Sequence, residues 1–494
     1  MTTINSNGTG GGDWNNTATW AGGAIPTTTN RANIVSGDNV TLSANPTNSI
    51  GSCGIEGTLT CSNTPLITIL GDGNASVMFH QGTVTGDCDL KITGGSSKEI
   101  ASIGTGNFND IELDNTGNTL TIANGALTID GTLTLAKGSL DTGDNDFEVD
   151  GATTIANDCV LYCGSGDVDL AGGNVTGSGN GTLALETCTM TAGNLYPPNI
   201  TAGAATVTCS DYFGVSANSN LTVDSGAALA ITCRRANLNT ITATSPNWSV
   251  TYVGDLASRN LKVVSGEYHD VTLNMTADPT DVVALSQNTT IGGNLTITSG
   301  VLNTNENPGD NFSLTVTGDI TVNGTLICNA SAVGASSIMG TGTLECDTAT
   351  ITCASGGDIQ TTTINMDAAT ISSGSGNSIN LMGAGTSTIN ISAGAAATII
   401  CRRFGGNWAS NGNSTVTLKG VAHTSSMTDG SLYNLVVDAP TTFYLGSETV
   451  VDNNLTITQG TLDTDANNIL TVTKHIDVTG KLEGRTSPIS CGTM

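Results

Sequence analysis

Three stretches of this chain carry nearly the same sequence: TLTIANGAL at 119–127, NLTITSGVL at 294–302 and NLTITQGTL at 454–462. A Leu-(Asp/Asn)-Thr tripeptide accompanies each of them, at 140–142, 302–304 and 462–464. The longer segments that match one another are 108–138, 268–300 and 433–460. Self-similarity at a spacing of about 160 residues is typical of solenoids, in which each turn packs only against its neighbours. The repeat therefore predicts a solenoid scaffold for most of the chain.

The composition favours strands over helices. Short segments alternate apolar and polar residues, as in Leu314, Val316, Ile320 and Val322. Clusters of Gly, Asn, Asp and Ser separate these segments, which is the pattern of strands and turns. No long stretch has apolar residues at the 3.6-residue spacing of an amphipathic helix. We therefore predict an all-β fold, a right-handed parallel β-helix (β-solenoid) with an N-terminal capping segment.

The same patterns suggest how the chain is divided. The predicted parts are a cap at 1–51, a solenoid body at 52–494 and, within the body, large repeats at about 104–264 and 265–428 and a truncated copy at 429–494. The cap contains Trp14 and Trp20. The first turn of a solenoid exposes apolar core and unpaired strand edges, and bulky aromatic rings would cover both.

The charge restricts the partners. A net charge of −28 repels nucleic acid and anionic membrane surfaces, so we expect neither as a partner. No stretch approaches the length of an apolar membrane-spanning helix, so we expect no membrane insertion. The N-terminal sequence MTTINSNGTGGGDWNN lacks the basic and apolar regions of a signal peptide, which predicts synthesis in the cytoplasm.

The cysteines look like core residues. Alignment of 181–193 with 342–354 places Cys346 opposite Leu185 and Cys353 opposite Ala192. Because cysteine exchanges with apolar residues at inward positions, we predict reduced, buried thiols. Zinc is not expected, since no histidine stands at ligand spacing from them.

The densest acidic stretch comprises Asp141, Asp144, Asp146, Glu148 and Asp150. Its acids change between repeat copies, as residues of surface turns do, so we predict surface turns and no enzyme activity. Cation binding and catalysis are the alternatives, because a glycoside hydrolase or lyase could use two such carboxylates. Residues 164–170, GSGDVDL, resemble a calcium-binding nonapeptide turn without its tandem repetition. We expect no cofactor, with calcium as the alternative.

Six side chains are candidates for contacts to a ligand or a second subunit. They are Arg234, Arg235, Arg402, Arg403, Trp248 and Trp408. The arginines belong to two Cys-Arg-Arg tripeptides and could form an ion pair between subunits or contact an anionic glycan, or only balance an acidic surface. The tryptophans could stack on sugar rings or pack in the interior.

Two motifs resemble known families. The segment WNNTATWAGGAIP at 14–26 resembles the W-x(n)-W-x-G-G-x-x-P opening that precedes many β-helical surface and phage proteins. The body pattern NLTIxxGxLxT, with GDITVNGTL at 318–326, resembles tailed-phage fibre and appendage proteins and bacterial surface adhesins.

The resemblance implies a non-enzymatic structural protein of a phage particle: a fibre, spike or capsid decoration. Its expected partners are other virion proteins, copies of itself and host surface glycans. The missing signal peptide favours this location over the cell surface. Two alternatives are a tailspike that depolymerises polysaccharide and a bacterial adhesin that is extracellular or on the cell surface.

Overall fold

The computed structural model describes residues 1–71, 76–94, 98–214, 219–243, 246–253, 259–265, 267–275, 279–305, 312–353, 358–373, 380–382, 388–400, 403–410, 413–419, 424–465 and 468–492.

The chain divides into two compact units. One comprises Met1–Trp248 with Val263–Gly266, and the other Ser249–Lys262 with Glu267–Met494. In each unit parallel strands stack turn upon turn, so the prediction of an all-β solenoid is confirmed. The helical structure of the described residues is a short 3-10 turn at Thr17–Thr19. Within the same residues, no helix is long and apolar enough to cross a membrane.

The strands of the first unit are β1 Thr2–Asn5, β2 Gly11–Asp13, β3 Asn30–Ile34, β4 Asn39–Leu42, β5 Ser52–Ile55, β6 Thr58–Cys61, β7 Leu66–Ile69, β8 Ser76–His80, β9 Thr83–Thr85, β10 Asp89–Thr93, β11 Lys98–Ser102, β12 Ile111–Ala123, β13 Leu127–Ile129, β14 Leu133–Asp141, β15 Phe147–Val149, β16 Thr153–Ile155, β17 Val160–Tyr162, β18 Asp167–Gly177, β19 Thr182–Ala184, β20 Thr189–Tyr196, β21 Asn199–Ala202, β22 Thr206–Cys209, β23 Tyr212–Phe213, β24 Asn220–Val223, β25 Ala230–Cys233 and β26 Arg235–Ala243.

The remaining strands are β27 Ser249–Val253, β28 Arg259–Ser265, β29 Asp270–Asn274, β30 Val282–Leu285, β31 Thr289–Ile291, β32 Leu295–Ser299, β33 Val301–Asn303, β34 Leu314–Val316, β35 Ile320–Val322, β36 Thr325–Ile327, β37 Ala332–Ala335, β38 Ile338–Met339, β39 Thr343–Glu345, β40 Thr350–Cys353, β41 Asp358–Gln360, β42 Thr363–Met366, β43 Thr370–Ser373, β44 Asn380–Met382, β45 Thr388–Ile391, β46 Ala396–Ile400, β47 Arg403–Ser410, β48 Thr415–Lys419, β49 Thr424–Ser431, β50 Asn434–Tyr444, β51 Thr449–Val451, β52 Asn454–Asp463, β53 Leu470–Val472, β54 His475–Val478, β55 Lys481–Glu483 and β56 Ile489–Cys491.

Each turn contributes three strand segments, as β18 to β21 illustrate. The two halves of β18 pair in parallel with the two halves of β20, and β19 pairs with β21. Paired residues lie about one turn apart in the sequence, and Asn174 and Asn194 are separated by 20 residues. In the second unit the same order recurs: β31, β32 and β33 pair with β34, β35 and β36.

The strands alternate between the core and the surface. In β25, Ile231 and Cys233 are buried, whereas Ala230 and Thr232 are partly exposed. Successive side chains of a strand point to opposite faces, so the apolar residues fill the interior and the threonines face outward. Burying one aliphatic side chain contributes about 1.5–3 kcal/mol, and the stacked turns repeat this contribution along each unit.

A glycine with left-handed backbone marks the repeat. Gly138, Gly300 and Gly460 have φ values of 86°, 91° and 73°. A Cβ atom on Gly460 would lie 1.8 Å from the carbonyl oxygen of Ala439 in the turn before it, so glycine is required there. The counterpart of the repeated signature in the first copy is therefore TLTLAKGSLDT at 132–142. It begins 13 residues after the segment at 119–127 that the sequence similarity suggested.

The Leu-(Asp/Asn)-Thr tripeptide forms a corner. The side chains of Asp141, Asn303 and Asp463 each accept a hydrogen bond from the backbone N–H two residues later, at 2.8, 2.9 and 2.8 Å. Such bonds are typical of Asp and Asn in turns. The tripeptide therefore ends a strand and turns the chain toward the next face.

The two N-terminal tryptophans belong to the core. Trp14 and Trp20 are buried, and their rings meet edge to face with centroids 5.0 Å apart. Trp20 Nε1 donates a hydrogen bond of 2.7 Å to the carbonyl oxygen of Trp14. Trp20 also forms an antiparallel bridge with Ser6, which ties the 3-10 turn to the first strand. A cap over the first turn requires buried aromatic rings of this kind. The boundary of the cap at residue 51 stays a prediction.

The described cysteines are buried, apart from Cys491. Cys346 and Cys353 are among the buried ones, so their predicted position is confirmed. Burial raises the pKa of the Cys353 thiol to about 12 and that of Cys346 well above its ordinary value. Both side chains therefore stay protonated, and the slow labelling expected of protonated, buried thiols stays a prediction.

Candidate binding cleft

An open cleft of 610 Å³ lies on the surface of the first unit. Residues 176–180 of one turn, Tyr196, Pro198 and Asn199 of the next and Asn220 of the third line it. Its volume falls within the range of about 300–1,000 Å³ that is usual for sites of small ligands. A concave surface of this kind, with one aromatic ring and several polar side chains, is the first candidate for a binding site.

The cleft exists because one connection is short. Residues 178–181 connect β18 to β19, whereas only Pro197 and Pro198 connect β20 to β21 in the next turn. The longer connection forms one wall, and the shorter one leaves the space beside it open. Gly177 is needed at this step, because a Cβ atom there would lie 2.6 Å from Cδ of Pro198.

Tyr196 forms the aromatic wall of the cleft, and residues of the following turns support its ring. The rings of Tyr196 and Tyr212 lie in successive turns with their centroids 5.8 Å apart, and the Arg235 guanidinium lies 4.8 Å from the centroid of Tyr212. Arg235 Nη1 also donates to the Tyr212 hydroxyl, and Arg235 Nε lies 3.8 Å from the Asp211 carboxylate. Stacking and cation–π contacts of this kind contribute about 0.5–1.5 kcal/mol each, so the Tyr196 ring has a supported position.

A ladder of asparagines forms the other side. Asn220 Nδ2 donates to Asn199 Oδ1 at 3.3 Å, and Asn239 Nδ2 donates to Asn220 Oδ1 at 3.0 Å. The parallel register aligns Asn199 with Asn220, and Asn239 directly precedes Thr240, the residue that pairs with Asn220. The amides at the cleft are therefore oriented by their neighbours before any ligand arrives.

Several polar atoms of the cleft have no hydrogen-bond partner within the described part of the chain. They are the hydroxyls of Tyr196 and Ser178, the amide nitrogen of Asn199 and the amide oxygen of Asn180. The Asn180 amide is nevertheless fixed, because its nitrogen donates to Asp158 Oδ1 at 3.0 Å. The cleft thus presents both donors and acceptors to a ligand.

The Tyr196 hydroxyl is a donor at neutral pH. Burial raises the pKa of the Tyr196 phenol, and Tyr212 and Asp211 raise it further, while Arg235 opposes them. The phenol therefore stays protonated far above neutral pH.

Two of the predicted arginines lie in the turn that follows Tyr212. Arg234 and Arg235 are at the corner between β25 and β26, where the N–H groups of both donate to the carbonyl oxygen of Asp211 at 3.1 and 2.9 Å. Arg402 and the side chain of Arg403 lie outside the described residues. A contact from any of the four to a ligand or subunit stays a prediction.

The aromatic wall belongs to one repeat copy. Arg403 begins β47 as Arg235 begins β26. Arg235 pairs with Tyr212, however, whereas Arg403 pairs with Asn380. The tyrosine that pairs with Arg235 is therefore replaced by an asparagine at the matching position of the second copy. Such a difference is expected for a feature with a role besides the scaffold.

The two tryptophans named as candidate contacts are buried. Trp248 and Trp408 are 1% and 2% exposed. An indole ring must expose a face to stack on a sugar or on a second subunit, so neither ring can serve as such a contact from its present position. The packing interpretation agrees with this burial.

The acidic stretch has the character of surface turns. Asp144, Asp146, Glu148 and Asp150 are exposed. The Ser165 hydroxyl donates to Asp144, and the Thr128 hydroxyl donates to Glu148 at 3.2 Å. Such bonds hold turns and adjacent strands together and use these carboxylates locally.

A shallower depression of 330 Å³ lies beside this stretch, lined in part by Asp146, Glu148, Asp167 and Asp169. Glu148 pairs with Asp169 in the strand register. Two like charges directly opposite each other destabilise the pairing of the strands. Within the described residues, no group of three or more His, Cys, Asp or Glu side chains is placed to hold a metal ion. Calcium at 164–170 stays a prediction.

Two features of the sequence coincide at the cleft. The chain has only seven tyrosines, and Tyr196 and Tyr212 stand close together. Tyr196 also directly precedes the rigid dipeptide Pro197-Pro198. Rare aromatic residues next to a rigid short connection could have indicated the cleft.

No protein-family model, no curated protein and no solved structure matches this chain. The function therefore has to be inferred from the solenoid and from the cleft that it carries.

Proposed function

We propose that this chain is a non-enzymatic structural component of a tailed-phage particle, a fibre, spike or capsid decoration, whose solenoid carries a glycan-binding cleft. The observation on which the binding role rests is the cleft beside Tyr196, with its supported ring and its unpaired hydroxyl and amide groups. The role in the particle rests on the β-solenoid fold and on the resemblance of its repeat to phage appendage proteins.

The architecture supports both parts of the proposal. Side chains on register-fixed strands are placed more accurately than those on free loops, which suits a recognition site. Tyrosine offers an apolar face together with a hydroxyl, and asparagine offers both a donor and an acceptor. A sugar ring presents the complementary surface, with C–H groups on its faces and hydroxyls at its rim.

The role in the particle is tested by quantitative mass spectrometry of purified virions from an infected host culture. We expect the chain at a fixed number of copies per particle that survives density-gradient purification. A chain that is lost on purification, or that fractionates with the host envelope, would favour the adhesin instead.

The polysaccharide-depolymerising tailspike is the second candidate. The acidic depression with Asp146 and Glu148 is the observation that favours it. Incubation with host polysaccharide, followed by a reducing-end assay, distinguishes the two. We expect no release of reducing ends; release by the wild type that Asp146→Asn with Glu148→Gln abolishes would establish the tailspike.

A further inference from the structure

We infer that the cleft beside Tyr196 binds an uncharged sugar residue of a glycan, stacked on the Tyr196 ring and hydrogen-bonded by Asn180 and Asn199. This inference rests on the proposed glycan-binding function and adds the chemical class of the ligand.

Charge is the first reason. None of the side chains that line the cleft is charged. Arg235, behind the aromatic pair, lies on Tyr212 with the Asp211 carboxylate 3.8 Å from its Nε, so its charge is already partly balanced. The chain as a whole carries a net charge of −28. An anionic sugar would meet repulsion without a dedicated partner, whereas a neutral one would not.

The available hydrogen bonds are the second reason. The Asn199 amide nitrogen can donate, the Asn180 amide oxygen can accept, and both amides are held by bonds on their other atom, to Asn220 and Asp158. A sugar hydroxyl can accept and donate at once, so neighbouring hydroxyls can satisfy both groups. A carboxylate or sulfate could use only the donor and would leave the Asn180 oxygen unpaired.

The Tyr196 ring is the third reason. Tyr212 packs against it from the adjacent turn, so the ring is supported while it still lines the open space. A preorganised aromatic surface loses little conformational entropy when it is covered. The protonated hydroxyl at its edge adds a donor for one more sugar hydroxyl.

The test is binding of the full chain to an array of neutral gluco-, manno- and galacto-oligosaccharides and of acidic ones with uronic or sialic acid. Isothermal titration with the best neutral oligosaccharide follows. We expect neutral binding, weakened about tenfold or more by Tyr196→Ala, while Tyr196→Phe keeps most of it. Asn199→Asp, which replaces the donor with a charge, should also weaken it. Tyr162→Ala is the matched control, because Tyr162 is a partly exposed strand tyrosine of the same unit outside the cleft.

Circular dichroism of each variant checks that it is folded. Neutral binding that Tyr196→Ala and Asn199→Asp leave unchanged would overturn the site. Binding of acidic sugars alone, lost in Tyr196→Ala, would overturn the neutral class and leave the proposed glycan-binding function intact. No binding to any sugar would overturn both, while the role in the particle would still be decided by the virion mass spectrometry.

Discussion

At the scale of single residues, two buried threonines of the Leu-(Asp/Asn)-Thr tripeptides differ in the hydrogen bonding of their hydroxyl groups. The Thr304 hydroxyl donates to the carbonyl oxygen of Cys328 at 2.8 Å. The Thr142 hydroxyl is equally buried and has no hydrogen-bond partner among the described residues. Valine has the shape of threonine without the hydroxyl, so the two positions form a matched pair.

We expect Thr304→Val to lower the free energy of unfolding by about 0.5–1.5 kcal/mol, because the Cys328 carbonyl oxygen loses the hydroxyl and keeps only its hydrogen bond from the Ser331 N–H. Thr142→Val should leave stability unchanged or raise it slightly, since it removes an unsatisfied hydroxyl. Urea unfolding of both variants measures the difference. Equal losses at the two positions would show that the hydroxyl of Thr304 contributes nothing specific.

A buried histidine should make the protein sensitive to mild acid. Burial lowers the pKa of His80 from its ordinary value of 6.5, and a hydrogen bond with the Thr105 backbone opposes this only in part. Because the unfolded chain then binds a proton more readily than the folded one, this contribution to stability is complete above pH 6.5 and is lost as the pH falls toward the lowered value.

We therefore expect the melting temperature to fall between pH 7 and pH 5, and the fall to be smaller in His80→Gln. The comparison concerns the slope with pH, because the variant also loses packing against Phe108. The carboxyl groups of Asp38, Asp114 and Asp438 have lowered pKa values and act at lower pH. An identical slope in the wild type and the variant would contradict the role of His80.

At the scale of the turn, a glycine sets how closely neighbouring turns approach. Gly460 and Gly226 both have positive φ, at 73° and 80°. A Cβ atom at Gly460 would lie 1.8 Å from the Ala439 carbonyl oxygen, whereas one at Gly226 would meet nothing within 4 Å. Alanine would strain the backbone at either position. Only at Gly460 would its Cβ atom also collide with the preceding turn.

Gly226→Ala should therefore cost about 1 kcal/mol, from the left-handed backbone alone. Gly460→Ala should cost more than about 4 kcal/mol or prevent the last turns from forming. Hydrogen exchange of the backbone amides in β50 and β52 measures the second effect. Similar costs at both glycines would mean that the turns can move apart freely.

The same turns explain what the sequence could predict. Alternation of apolar and polar residues, as in Ala230 to Cys233, depends only on neighbours in the chain, so the strands and the buried cysteines were predictable. The register of the repeat was harder to predict. Gly125 and Gly138 both follow strands of similar sequence, and only the stacking of the turns distinguishes them. The cleft depends on the different lengths of two connections one turn apart, which a single repeat does not encode.

At the scale of the whole molecule, charge opposes compactness. The chain has 42 acidic and 14 basic side chains. Added salt shortens the range of their repulsion to about 10 Å at 0.1 M. We expect the melting temperature to rise as sodium chloride increases to 0.3 M at pH 7. The rise should shrink at pH 4, where many carboxyl groups are protonated. A melting temperature that falls with salt would indicate that the ion pairs, such as Lys91 with Glu112, outweigh the repulsion.

The short connection at Pro197-Pro198 has a consequence for how this protein can evolve. The strands on both sides keep their register, while the corner between them is two residues long and the preceding one covers 178–181. A recognition surface made in this way is gained or lost through small deletions and insertions at a corner, with no change to the core. Related chains could thus acquire new specificities by indels at different corners of an unchanged scaffold, and a comparison of corner lengths would locate their binding surfaces.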